Sequence, residues 1–229
     1  MKTLDPARVG EILASGGLLI DTRAVDEYLA SHIDASISIM FEAGPGFGGR
    51  ARDLLPLEAA LVLLTNPQAP LDEAAAMLRG KGLDVAGFAD GTGLQARSTP
   101  TAEGVSDGLV MIDVKDPGTR SLVKSGSGLV IPVENLWIDA AELDKSARIG
   151  VLAGWGVRAA TAIGILERLK FANLTFVRTR PAGSRPPIAG PEEQIFRVGG
   201  SGGVAAPLRT ERRAPEAANP PKSTGGSGG

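Results

Sequence analysis

Short apolar, β-favouring runs punctuate this chain at intervals filled by helix-like segments. Leu18-Leu19-Ile20, Leu61 to Leu64, Val85 to Phe88, Leu109 to Val114, Ile149 to Leu152 and Leu174 to Val177 each have the length of a buried strand. Before and between them lie residues 6–16, 24–31, 71–80 and 157–170, helix-like in composition, the first and last with apolar positions at three- and four-residue spacing. Asp5 or Pro6 starts the first of these helices and Gly16-Gly17 stop it, while Gly80 caps the helix over 71–80. Strands alternating with helices predict βαβ units and mainly parallel sheets flanked by helices.

Ile33 to Met40 alternates like a further strand, Gly128 to Val133 reads as another, and Ala140 to Ser146 as a short helix. The Gly-rich stretch FEAGPGFGGR (residues 41–50) reads as a loop, and residues 116–125 as weakly helical or irregular. Residues 92–107 are polar and turn-rich, and the same order of elements follows them again. The expected organisation is a first domain over 1–92, a linker over 93–107, a second domain over 108–180 and a tail over 181–229. Eight of the sixteen prolines and ten of the thirty-one glycines fall in residues 180–229. Such a segment buries too little surface to offset its ordering entropy, so a disordered or extended tail is expected.

Composition narrows the chemistry. Hydrophobic content of 43% and charged content of 22% suit a soluble globular chain, and a net charge of −2 does not signal nucleic-acid binding. The charge divides into +3 over residues 180–229 and −5 over residues 1–179. No apolar run approaches a membrane span, and the first residues lack a signal-peptide core, so a cytoplasmic protein is expected. Cysteine is absent, which removes disulfides, thiolate catalysis and cysteine metal sites. His32 is the single histidine, and a lone histidine makes a poor metal or triad case. No cofactor and no metal is predicted.

The stretch Ile149 to Ala162 joins a strand to a helix through Gly154 and Gly156. Its backbone N–H groups, with Arg158 and the positive helix end, have the makings of an anion cradle. Trp155 at the loop tip reads as a plug or an aromatic anchor for a partner. Trp137, Phe41 and Phe47 are the other aromatic interface candidates. Asp21 and Asp113 end strands and read as loop braces. Arg209, Arg212 and Arg213 read as a solvated cluster in the tail, and a protein partner is expected, with the tail as one route to it.

Asp21-Thr22-Arg23, Glu27-Tyr28, Ser31-His32-Ile33 and Ser36 to Ile39 together resemble the opening of a rhodanese domain. Leu54-Leu55-Pro56 and Leu61 to Leu64 are similar to the segment leading to that family's central strand. In the second half, Asp113-Val114-Lys115 takes the Asp-x-Arg place, and Ala153 to Arg158 resembles the active-site loop Cys-x-x-Gly-x-Arg. The resemblance covers about residues 4–180 and is strongest to the rhodanese pair of bacterial persulfide dioxygenase–rhodanese fusions. It implies two rhodanese-like domains, sulfur transfer through a loop cysteine as the ancestral activity, and His32 as a structural hydrogen-bonding residue.

That cysteine's position is Ala153, and a methyl group forms no persulfide. In the first half the strand runs into Thr65-Asn66-Pro67 with no Gly-x-Arg after it. The six-residue loop has sulfurtransferase length, shorter than in the related phosphatases. The resemblance therefore implies a catalytically inactive rhodanese-like binding, scaffolding or assembly module. The alternatives are a sulfur-metabolism accessory that binds an oxyanion or persulfide carrier through Gly154, Gly156 and Arg158, or a cysteine-free variant of a thiosulfate sulfurtransferase.

Overall fold

The computed structural model describes residues 2–41, 46–66, 70–104, 107–115, 128–154 and 156–179. Expectations for residues 116–125, for Trp155 and for the tail beyond 180 lie outside these. The described residues belong to one compact unit containing two parallel sheets.

In the first sheet, β1 (Leu18–Asp21) lies between β3 (Ile37–Ser38) and β4 (Leu61–Leu64), and β4 continues to β5 (Val85–Ala89). The second sheet holds β8 (Val110–Asp113) between β9 (Gly128–Val130) and β10 (Ile149–Leu152), followed by β11 (Leu174–Arg178) and β7 (Thr101–Glu103). Every pairing in both sheets is parallel. The strand order β3-β1-β4-β5 thus reappears as β9-β8-β10-β11. Even the outer edge matches, because Thr3 bridges Phe88 of β5 in parallel as β7 pairs with β11.

Helices α1 (Pro6–Ala14), α2 (Val25–Ala30), α3 (Phe47–Leu54) and α4 (Leu71–Arg79) belong to the first half, α5 (Leu136–Asp139) and α6 (Val157–Arg168) to the second. The alternation within β1 sorts its residues between two cores. Leu19 joins Val9 and Ile12 of α1 on one face, while Leu18 and Ile20 face the other, larger cluster. That larger cluster also takes in Ile149 and Val151 of β10 and much of α6, so apolar packing runs continuously through both halves. All residues from Ala159 to Glu167 are buried, because α6 packs on its own sheet and also on β3. Gly164 makes this approach possible: a Cβ there would lie 2.3 Å from the Ser36 carbonyl oxygen and 2.8 Å from Ile37 Cα.

Several local expectations are corrected. Residues 47–50 of the Gly-rich stretch are helical, forming the start of α3. Tertiary packing overrides glycine's weak helix propensity there, since Gly48 sits against α4 where a Cβ would meet the Met77 carbonyl at 2.8 Å. The single strand expected over 33–40 is two short ones, β2 (His32–Ile33) and β3. A turn divides them, closed by the Ser36 amide donating to the Ile33 carbonyl at 2.9 Å, with Ala35 at φ 58°. Gly80 caps α4 as expected, in a right-handed conformation, and the left-handed residue that follows is Gly82. The strand from Gly128 stops at Val130, since Pro132 leads into a 3-10 turn over Val133–Asn135. Helix forms over Leu136–Asp139, with a 3-10 turn at Ala140–Glu142, rather than over 140–146. The polar stretch 93–107 includes β7 and β6 (Ala96–Arg97), which pairs antiparallel with β2.

Candidate functional site

The loop after β10 leads into α6 through a tight turn. The Gly156 amide donates to the Ala153 carbonyl at 2.9 Å, and Gly156 adopts φ 83°. That conformation suits glycine alone at low cost, and a Cβ there would also lie 2.8 Å from the Phe176 ring. Ala153 is 5% exposed and packs in the large apolar cluster. Around Gly154 there is open space where a Cβ would project, and its carbonyl accepts from the Thr179 hydroxyl at 3.2 Å.

Arg158 lies in the first turn of α6, and its guanidinium points back across the end of β8. Its Nε donates to the Val114 carbonyl at 3.0 Å and its Nη2 to the Glu134 carboxylate at 2.5 Å. Glu134 was not singled out from the sequence: it stands 24 residues from Arg158 in a 3-10 turn, where no local pattern marks it. Two bonds to the protein's own acceptors hold the guanidinium, with a carboxylate close to the atoms an oxyanion would need.

In the first half, Asp21 and Arg23 form a two-pronged ion pair at the end of β1. Arg23 Nε donates to Asp21 Oδ1 at 3.0 Å and Nη2 to Oδ2 at 2.5 Å, and Nη2 also reaches the Ser31 carbonyl at 2.7 Å. The hydrogen bond to Asp21 raises the guanidinium above its ordinary pKa. Asp113 is fully buried at the equivalent end of β8. Beyond β4, Thr65 is exposed, and the Asn66 side-chain amide donates to the Thr22 hydroxyl at 3.4 Å.

His32 is buried, stacked on the Tyr28 ring at 4.1 Å and bonded to the Tyr28 carbonyl and the Glu167 carboxylate. Glu167 and Arg97, which complete this cluster, were also invisible locally, because Glu167 lies 135 residues away on α6. Burial pushes the Tyr28 hydroxyl well above the ordinary phenol range, and the Glu167 charge adds to the effect. The Trp137 indole N–H donates to the Leu54 carbonyl at 2.7 Å, tying α5 to the end of α3. Phe41 and Phe47 meet edge to face at 5.2 Å beside the large core. Among the described residues, no group of three or more His, Asp or Glu side chains is placed to hold a metal ion. No helix among them is long and apolar enough to cross a membrane.

No protein-family model and no curated protein matches the chain. Solved structures give partial overlaps. A thiosulfate sulfurtransferase from Pseudomonas aeruginosa is 15% identical, with 78% of this chain and 41% of that one covered and a TM-score of 0.37. A 3-mercaptopyruvate sulfotransferase of the rhodanese fold from Escherichia coli is 15% identical, over 79% of this chain and 98% of that one, at 0.32. An Anabaena sp. protein is 16% identical over 42% of this chain and 81% of its own, at 0.35.

Proposed function

We propose that this chain is a rhodanese-like pair of domains that has given up sulfur transfer and serves as a binding or assembly module. The observation that carries the reading is the residue at the end of β10. Ala153 stands where a nucleophile would have to be, the residue is buried, and no cysteine occurs in the sequence to replace it. The matching strand orders of the two sheets support a division into domains over 1–92 and 108–180, joined by 93–107. In this reading Gly156 and Arg158 keep the loop's shape and anchor α6, which binds the halves together.

A thiosulfate:cyanide sulfurtransferase assay tests the reading, with no turnover expected above a heat-denatured control. Turnover above that control overturns it. The Ala153→Cys variant is expected to stay inert as well, because Glu134 holds the arginine that would stabilise a persulfide anion. Titration with thiosulfate, sulfite and phosphate is expected to give no Arg158-dependent binding. Binding that Arg158→Ala abolishes would favour an oxyanion-binding accessory instead.

A further inference from the structure

We infer that residues 180–198, the first part of the chain beyond β11, lie over the outer face of the second sheet and do there what α1 does for the first, whatever function the chain serves. In the first sheet the face turned away from the large core presents Leu19, Val62, Leu64 and Ala89, and Leu4, Val9, Ile12 and Leu13 close it. The register carries these positions onto the second sheet. Leu19 pairs with Val62 as Met111 pairs with Gly150, and Leu63 pairs with Phe88 as Val151 pairs with Phe176. The counterparts of Leu19, Leu64 and Ala89 are therefore Met111, Leu152 and Val177, which form a cluster of their own. Each is 1% exposed, as deeply buried as Leu19 beneath α1.

Among the described residues, no helix contributes to that cluster. The helix α1 fills the chain between Thr3 and β1, whereas Gly104 to Leu109 are all that join β7 to β8. At about 1.5 Å per residue, so short a segment makes no helix the length of four strand residues, about 13 Å. The crossing also brings little apolar cover. Gly104 and Gly108 have no side chains, Asp107 is exposed, and Leu109 is the partly buried apolar residue that packs on the cluster among those described. One leucine stands where the first half uses four apolar side chains.

The exposure across the face shows from which side the remaining cover comes. Val130 of β9 is the register partner of Asp113, which shares Met111's face, yet Val130 is 47% exposed. The cover therefore lies toward β10 and β11 and stops short of β9. Residues 116–127 lead into β9, the side left open. The chain beyond β11 starts on the covered side, where the Thr179 hydroxyl bonds to the Gly154 carbonyl just past β10. Residues 180–198 bring Ile188, Ile195, Phe196 and Val198. At about 3.3 Å per residue, a few of them traverse the sheet from end to end.

Methionine oxidation tests this in the full-length chain, because Met111 lies on the covered face and Met40 lies in the first half. Under hydrogen peroxide, with sulfoxide read by peptide mass spectrometry, the double variant Ile195→Asp, Phe196→Asp is expected to oxidise at Met111 about tenfold faster than the unaltered chain. Met40 is expected to keep its rate. An unchanged rate at Met111 overturns the inference. If Met40 accelerates as well, the variant has loosened the whole fold, and photo-cross-linking of the unaltered tail decides. A benzophenone side chain in place of Thr175, half-buried on Val177's face, is expected to cross-link within the same molecule to a peptide from 180–198. A cross-link to 116–127, to a second copy, or to no peptide overturns it.

Discussion

The two sheets use the same strand order, yet each secures the end of its first strand with an arginine from a different place. In the first half Arg23 lies two residues beyond Asp21 and grips that carboxylate with both nitrogens of its fork. In the second half the corresponding residue is Lys115, and the arginine comes from α6: Arg158 holds the carbonyl of Val114, just past β8, and the Glu134 carboxylate. The strands of a parallel sheet all end on the same side, where loops carry carbonyls and carboxylates in need of donors, and a guanidinium satisfies several at once. The difference teaches that an arginine can reach the end of such a strand either from the loop that follows it or from a helix far along the chain.

The largest expected effect concerns the element shared by both halves. Gly164→Val is expected to cost about 3 kcal/mol or more, since its side chain would displace β3 backbone and the Tyr28 hydroxyl from α6. Chemical denaturation checks this, and a variant as stable as the wild type would mean that α6 does not tie the halves together.

Removing the two arginines separates the braces. Arg23→Ala leaves the Asp21 carboxylate, 1% exposed, without its ion pair, and about 3 kcal/mol of destabilisation is expected. Arg158→Ala leaves Glu134, 30% exposed, able to meet water, so about 1 kcal/mol is expected. Equal losses in paired denaturation curves would break the comparison.

Tyr28 sharpens it from the first half alone. Its folded-state pKa is raised by burial, so its contribution is complete below the unfolded value near 10 and declines as pH rises beyond that. As the chain's single tyrosine, it is expected to show tyrosinate absorbance in step with loss of circular dichroism at alkaline pH. Ionisation in a folded protein would contradict its burial. The smallest effect is expected for Trp137→Phe, which keeps the ring but leaves the Leu54 carbonyl without that donor, about 1 kcal/mol by thermal unfolding.

The elements legible in the sequence were those whose cause is local. Leu61 to Leu64 and Ile149 to Leu152 are apolar on both faces, as strands buried on both sides of a parallel sheet must be, and both form strands over those bounds. The residues 47–50 misled because their local preference is for a loop, whereas contact with α4 holds them in a helix. The loop of the candidate site was legible for the same reason as the strands: Gly156 is needed for a left-handed turn at that place in the chain. What Arg158 does was not, because its partners come from elsewhere in the second half.

The sequence by itself determined the alternating α/β class, the strand–loop–helix at Ile149 to Ala162, and the absence of any thiol to act there. These are matters of periodicity, backbone freedom and atoms present or missing, and no folding is needed to read them. Only the tertiary structure decided that Arg158 is held by Glu134, that His32 meets Glu167 across 135 residues, and that α6 is buried from both sides. Such pairings depend on which surfaces the packed sheets bring within a few ångströms, and local sequence carries no record of that distance.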